Sequence, residues 1–192
     1  MNKLDEGLET RMNNSPYRCD PEDKVLILMD VRNVTCRQSM EYANTRIHYG
    51  KMLSDILNGR KLVAAIAVDG VQYDDKGRDV SRLFHEELRR ANFRVDLVKA
   101  SNNKGKQEGV DVMIAILAMR YVLHGWCDTV ELITGDGDFT VLVKEIQSSG
   151  VTVCVRSLLG NLSYALGDQA DCVSLIDDHP IVMMEAKKTE AI

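Results

Sequence analysis

The chain has 192 residues, 45% of them apolar and 28% charged, which suits one globular domain with a substantial core rather than a disordered or fibrous chain. A formal charge of −5 argues against a protein that coats nucleic acid nonspecifically through many Lys and Arg contacts, but leaves room for a local basic groove. No apolar run approaches the length of a membrane span and the N-terminus has no apolar stretch suited to a signal peptide, so a soluble, cytoplasmic protein is expected. Five scattered cysteines (Cys19, Cys36, Cys127, Cys154, Cys172) show no C-x-x-C and read as buried free thiols of a reducing compartment.

In chain order, residues 1–23 are polar and read as an extension ahead of a domain spanning residues 24–177, with residues 178–192 as a tail. Val25–Met29 is a continuous apolar run ending at Asp30, as expected of a strand buried on both faces. Apolar residues from Met40 to Leu57 recur at helical spacing until Gly59. Leu62–Val68 is a second buried strand, ended by Asp69-Gly70 and followed by a polar loop, VQYDDKGRD. Val80, Leu83, Phe84, Leu88 and Ala91 mark one stripe of a helix. Phe93–Val98 alternates like a strand near a sheet edge, and SNNKGKQEG is a loop.

Val110–Leu123 leaves little polar face and predicts a largely buried helix. Thr129–Thr134 predicts a strand, Phe139–Gln147 a helix, Val151–Val155 a strand, Leu162–Leu166 a short helix and Cys172–Ile176 a sixth strand. Such alternation implies an α/β fold, in which a mostly parallel sheet of five or six strands is covered by helices on both faces. Sheets of that kind bind ligands beyond the carboxyl ends of their strands. The apolar residues Ile181, Val182, Met183 and Met184 suggest a docking surface for a second subunit, hence a homodimer.

Acidic residues collect at those strand ends. In GDGDF, Gly135 and Gly137 permit a tight path from which Asp136 and Asp138 can project, although an Asp-Gly turn with Asp138 capping the next helix would read the same way. Asp30 and Asn33 form a D-x-x-N that could also be an Asx turn, and Asp111 opens an apolar helix where a carboxylate is favoured by the macrodipole. Carboxylates converging on one crevice repel unless cations sit between them, which points to a divalent-metal site and phosphodiester chemistry.

The set of apolar strand plus Asp30 and Asn33, GVDV (Gly109 to Val112), TGDGDF (Thr134 to Phe139) and Leu162-Ser163…Leu166…Ala170-Asp171 resembles the NYN domains, the LabA-like branch of the PIN-like nucleases. The resemblance runs from about Val25 to Ile176. It implies a PIN-like, Rossmann-like three-layer α/β/α sandwich and an Mg²⁺- or Mn²⁺-dependent endoribonuclease acting on RNA. Carried over by position, Asp30, Asp111, Asp136 and Asp138 would bind metal, with Asn33 orienting a phosphate or water and Thr134 in support. Two positions depart from the family: Leu117, where relatives often carry a further Asp, and Glu108, where they tend to have Lys.

Substrate contact is expected from Thr134, Lys104, Lys106 and Arg156, the lysines flanking the loop before Asp111 and Arg156 following the fifth strand. The other reading is a PIN-like module that holds RNA or a protein partner without cutting, for which Arg78, Arg82, Arg89, Arg90 and Arg94 offer a basic face. Arg32 excludes the D-x-D of haloacid-dehalogenase phosphatases, and neither a G-x-S-x-G elbow nor a Cys/His signature is present. The four histidines read as structural or solvent-facing.

Overall fold

A computed structural model describes residues 20–35, 45–73, 76–98, 109–178 and 182–185. Its apolar runs form a six-stranded parallel sheet of β1 (Lys24–Asp30), β3 (Lys61–Gly70), β4 (Arg94–Val98), β5 (Thr129–Ile133), β6 (Thr152–Ser157) and β7 (Cys172–Leu175), in the order β4-β3-β1-β5-β6-β7. β2 (Thr45–Ile47) pairs antiparallel with β8 (Met183–Glu185) in a separate ribbon. The helices are α1 (Tyr49–Leu57), α2 (Arg82–Arg90), α3 (Val110–Leu123), α4 (Thr140–Ser148) and α5 (Tyr164–Gln169).

Alternate residues of β1 explain the layering. Leu26 and Leu28 face a core built with Ile114, Leu117 and Ala118 of α3, Val143 and Ile146 of α4 and Leu166 of α5. Val25, Ile27 and Met29 face the opposite core, with Met52, Leu53 and Ile56 of α1 and Leu88 of α2. A strand buried on both sides has no polar positions to alternate, hence its unbroken apolar run. The sandwich is therefore α/β/α.

The strand order carries the functional information. From β1 the chain builds outward through β3 to β4, then crosses under α3 to β5 on the other side and continues to β7. β1 and β5 are thus the neighbours at which the winding reverses, and ligand crevices form beyond the carboxyl ends of such a pair.

Several expectations change. The helix expected from Met40 begins only at Tyr49, because Thr45–Ile47 is taken into the β2–β8 ribbon; residues 40–44 lie outside the described residues. His48 caps α1 by accepting from the Lys51 amide at 3.2 Å, and Asn58 ends it in the left-handed conformation. Of the expected stripe along α2, Leu88 is buried and Phe84 and Ala91 pack against the same core, whereas Val80 and Leu83 are exposed. His85 is buried as well, where its ring meets the carboxylate of Asp69. α3 buries only one face; Val112, Ile116 and Leu123 are exposed. Val182 is buried in the chain's own core and Met183 packs against it.

Cys154 and Cys172 are not free thiols. They are register partners on adjacent strands, with Cα atoms 4.6 Å apart, and are joined in a disulfide. Linear spacing cannot reveal neighbours across a sheet. Cys127 is a buried free thiol as expected, and burial pushes it up to about 11. Among the described residues no helix is long and apolar enough to cross a membrane.

Candidate metal centre

Asp30 ends β1 on the carboxyl edge, one strand from the turn that follows β5. It is 5% exposed, and its carboxylate accepts from the Asn33 amide at 3.1 Å. Burial, followed by the charges of Asp111, Asp136 and Asp69, pushes its carboxyl up to about 6, against the lowering effect of that amide. Asp111 sits in the first turn of α3, which packs across β1 and β3 and so delivers it to the same edge. Its carboxyl is raised by burial and then by the charges of Asp136 and Asp138.

The TGDGDF turn explains its own glycines. A Cβ on Gly135 would lie 2.2 Å from the backbone oxygen of Asn161 and 2.7 Å from the Ser157 hydroxyl, and one on Gly137 would lie 2.7 Å from the Ser163 hydroxyl. Only glycine lets the loop after β6 approach so closely. Ser163 then donates its amide to the Gly135 carbonyl at 2.8 Å. Asp136, not Asp138, does the capping: its carboxylate accepts from the Asp138 amide at 3.0 Å and opens a 3₁₀ turn, Gly137–Phe139. Asp138 is left exposed at the start of that turn.

Asn33 and Thr134 turn out to brace the turn. The Asn33 carbonyl oxygen accepts from the Gly135 amide at 2.8 Å and from the Asn161 side chain, which also donates to the Asn33 backbone carbonyl at 3.1 Å. Through that oxygen Asn33 ties the ends of β1 and β5 together. Thr134 is fully buried, and its hydroxyl accepts from the Asp136 amide at 3.2 Å, so it shapes the backbone from below and is not a substrate contact.

Arg156 is likewise a correction. Its guanidinium donates to the buried Glu131 carboxylate at 2.9 Å and lies 3.6 Å from Asp55 of α1. Glu131 also receives Arg60, equally buried. A charge held this way balances other charges under α1 instead of waiting for phosphate. Lys104 and Lys106 lie outside the described residues. Leu117 is packed in the α3 core, so an apolar contact stands where relatives often carry an acid.

The structure thus gathers Asp30, Asp111, Asp136 and Asp138 at one edge. Among the described residues no three Asp, Glu, His or Cys side chains close to ligand distance around a single point. The raised carboxyls of Asp30 and Asp111, each pushed up by burial and by neighbouring aspartates, nevertheless mark a place of excess negative charge. Hard carboxylate oxygens under mutual repulsion suit Mg²⁺ or Mn²⁺, which bind through a few carboxylates and keep several waters, so the residues fit such an ion. Asn161, Ser163 and the buried Asp69–His85 pair, 2.8 Å between Nε2 and Oδ2, had no clear signal in the sequence; Ser163 stood in the Leu162-Ser163 motif but without a role.

A family model for the NYN domain matches residues 24–177. A crystal structure of a protein of unknown function from Vibrio parahaemolyticus is 30% identical, with a TM-score of 0.70 over 84% of this chain and 98% of that chain. The likeness supports a PIN-like fold. No curated protein matches significantly.

Proposed function

The chain belongs to the NYN domain family, whose members are usually divalent-metal-dependent nucleases, and from that premise we propose that it is an Mg²⁺- or Mn²⁺-dependent endoribonuclease. The observation that carries the reading is the meeting of Asp30, Asp111, Asp136 and Asp138 at the β1–β5 switch point, where after burial the charges of Asp111 and Asp136 raise the Asp30 carboxyl and those of Asp136 and Asp138 raise that of Asp111. The same four carboxylates would hold the ion. When bound, Mg²⁺ or Mn²⁺ supplies Lewis acidity toward water and the phosphate oxygens of RNA.

The chain's own residues do the rest. Asp30 enters as a buried group with limited hydrogen bonding, so its charge is directed at whatever cation arrives. Asn33, Asn161 and Ser163 fix the path of the acidic turn so that Asp136 and Asp138 do not have to be ordered when substrate binds. Preorganisation of this kind lowers the barrier because the groups need not rearrange during reaction.

The test is cleavage of RNA by the purified full-length chain with Mn²⁺ or Mg²⁺, against chelator and against Asp136→Asn. Cleavage should vanish in both controls while circular dichroism of the variant stays unchanged. Cleavage that survives chelator and the substitution would remove this site from the reaction. A folded chain that binds metal but never cuts RNA would reject the endoribonuclease reading.

A further inference from the structure

β7 is an end strand of the sheet, four residues long, with β6 as its neighbour. Just before it, the Asp171 amide donates to the Val153 carbonyl at 3.0 Å and the Asp171 carboxylate accepts from the Val153 amide at 2.8 Å. Within it, the Ser174 hydroxyl accepts from Arg156 at 3.2 Å, and Val173 and Leu175 are buried. A short strand paired on one side is among the first elements to open locally. The Cys154–Cys172 disulfide holds it to β6 by a covalent bond between register partners.

The residues beyond β7 lead back to the acidic turn. In the 3₁₀ turn Ile176–Asp178, the Asp177 carboxylate accepts from the Leu159 amide at 3.1 Å. Leu159 opens a second 3₁₀ turn, Leu159–Asn161, which follows β6. Asn161 donates its side-chain amide to Asn33, whose side-chain oxygen also accepts from the Gly135 amide. The Asn161 backbone oxygen fills the space that a Cβ on Gly135 would take. Two residues, Asp177 and Asn161, thus connect the disulfide-bound strand to the turn that carries Asp136 and Asp138.

We propose that the Cys154–Cys172 disulfide is a redox switch on the metal centre, with the oxidised chain holding the acidic turn in order and the reduced chain releasing it. The proposal rests on the metal-site reading for what is regulated; the release of the turn does not. A dithiol reductant completes the chemistry. Its first thiolate attacks the sulfur of Cys172, which is half-buried on the end strand whereas Cys154 is 3% exposed. The S–S bond breaks, the second thiolate closes the reductant into its own disulfide, and two protons end on Cys154 and Cys172 as thiols. β7 then opens more often and carries Asp177 away from Leu159, so the loop that braces Gly135 loses a tether.

The experiment compares the air-oxidised full-length chain with the same chain reduced by dithiothreitol, the reductant then being removed under nitrogen. Hydrogen exchange is read by NMR in chelator and Mn²⁺ affinity by calorimetry. Reduction should speed exchange of the Gly135 amide by at least about tenfold while Leu28 of β1 and Ile114 of α3 are unchanged. It should also weaken Mn²⁺ binding by about tenfold, an ordinary size for two coupled sites. The Cys154→Ser, Cys172→Ser double variant should match the reduced chain and ignore dithiothreitol. Asp177→Ala keeps the disulfide but cuts the tether, so its Gly135 exchange and Mn²⁺ affinity should be those of the reduced chain in either state. An air-oxidised chain without the disulfide, Gly135 exchange that reduction leaves unchanged, or acceleration shared equally by Leu28 and Ile114 would overturn the proposal. So would equal Mn²⁺ affinity in the two states. Release of the turn in a chain that binds no Mn²⁺ in either state would uphold the coupling and reject the metal reading alone.

Discussion

Replacing Asp30 with Asn should stabilise the protein while ending the metal-dependent activity proposed for it. Raising a carboxyl from 3.8 to about 6 makes its charged form harder to keep in the fold than in the unfolded chain, by about 3 kcal/mol at roughly 1.4 kcal/mol per pH unit. The folded state holds the proton more tightly, so stability falls as pH rises from the unfolded value through about 6 and stays low above it. An amide has the same shape, still accepts from the Asn33 amide and carries no charge. Asp30→Asn should therefore gain up to about 3 kcal/mol over wild type at pH 7.5 and almost nothing near pH 4. Urea unfolding in chelator at both pH values measures this directly. Added Mn²⁺ should close the gap at pH 7.5 by stabilising wild type alone, since a ligand that binds only the folded state adds to its stability. A variant that is no more stable than wild type at pH 7.5, or whose gain is the same at both pH values, refutes the reasoning.

Gly135→Ala should be strongly destabilising, by about 3 kcal/mol or more, because its Cβ meets the Asn161 backbone and not a movable side chain; thermal unfolding of the variant checks it. Glu131→Ala leaves Arg60 and Arg156 without a shared buried partner and should cost about 3–5 kcal/mol in urea unfolding, with a similar loss in Glu131→Leu distinguishing charge from volume. Alkylation of the denatured chain should add two more labels after reduction than before, both mapping to Cys154 and Cys172 by mass spectrometry. Equal labelling with and without reductant would contradict the pairing.

The sheet was legible because its central strands are buried on both faces over most of their length: Val25–Met29 is buried throughout and Leu62–Val68 from Ala65 on, and neither run holds a polar residue. Asp30, Asp136 and Asp138 stood out in the sequence because they follow apolar strands, and Asp111 because it opens an apolar helix. What was not legible depends on contacts between distant positions. Cys154 meets Cys172 only through strand pairing, and Asn33 meets Asn161 and Gly135 only once the order β1-β5-β6 exists. Arg156 misled because its position at a strand end says nothing about which way its side chain turns; Glu131 and Asp55 decide that. Thr45–Ile47 misled because its partner is Met183–Glu185, far along the chain, and a tertiary pairing overrides a local helical pattern.

Asp30 and Asp69 make the clearest argument for which acids are structural and which are functional. Both are buried acids, in adjacent parallel strands, at the carboxyl edge of the sheet. Asp69 is matched from within: an imidazole nitrogen lies 2.8 Å from one oxygen and the Gly70 amide donates to the other. Asp30 has the Asn33 amide and, among the described residues, no ion pair, with carboxylates around it on three other elements. A fold that needed only a buried polar group at the end of β1 would be better served by a neutral amide, by the margin worked out above. Keeping a charged, underpaired carboxylate there lowers the stability of the protein, and such local violations of an otherwise consistent fold are expected where a ligand is to be bound. The ligand that would relieve this one is a cation.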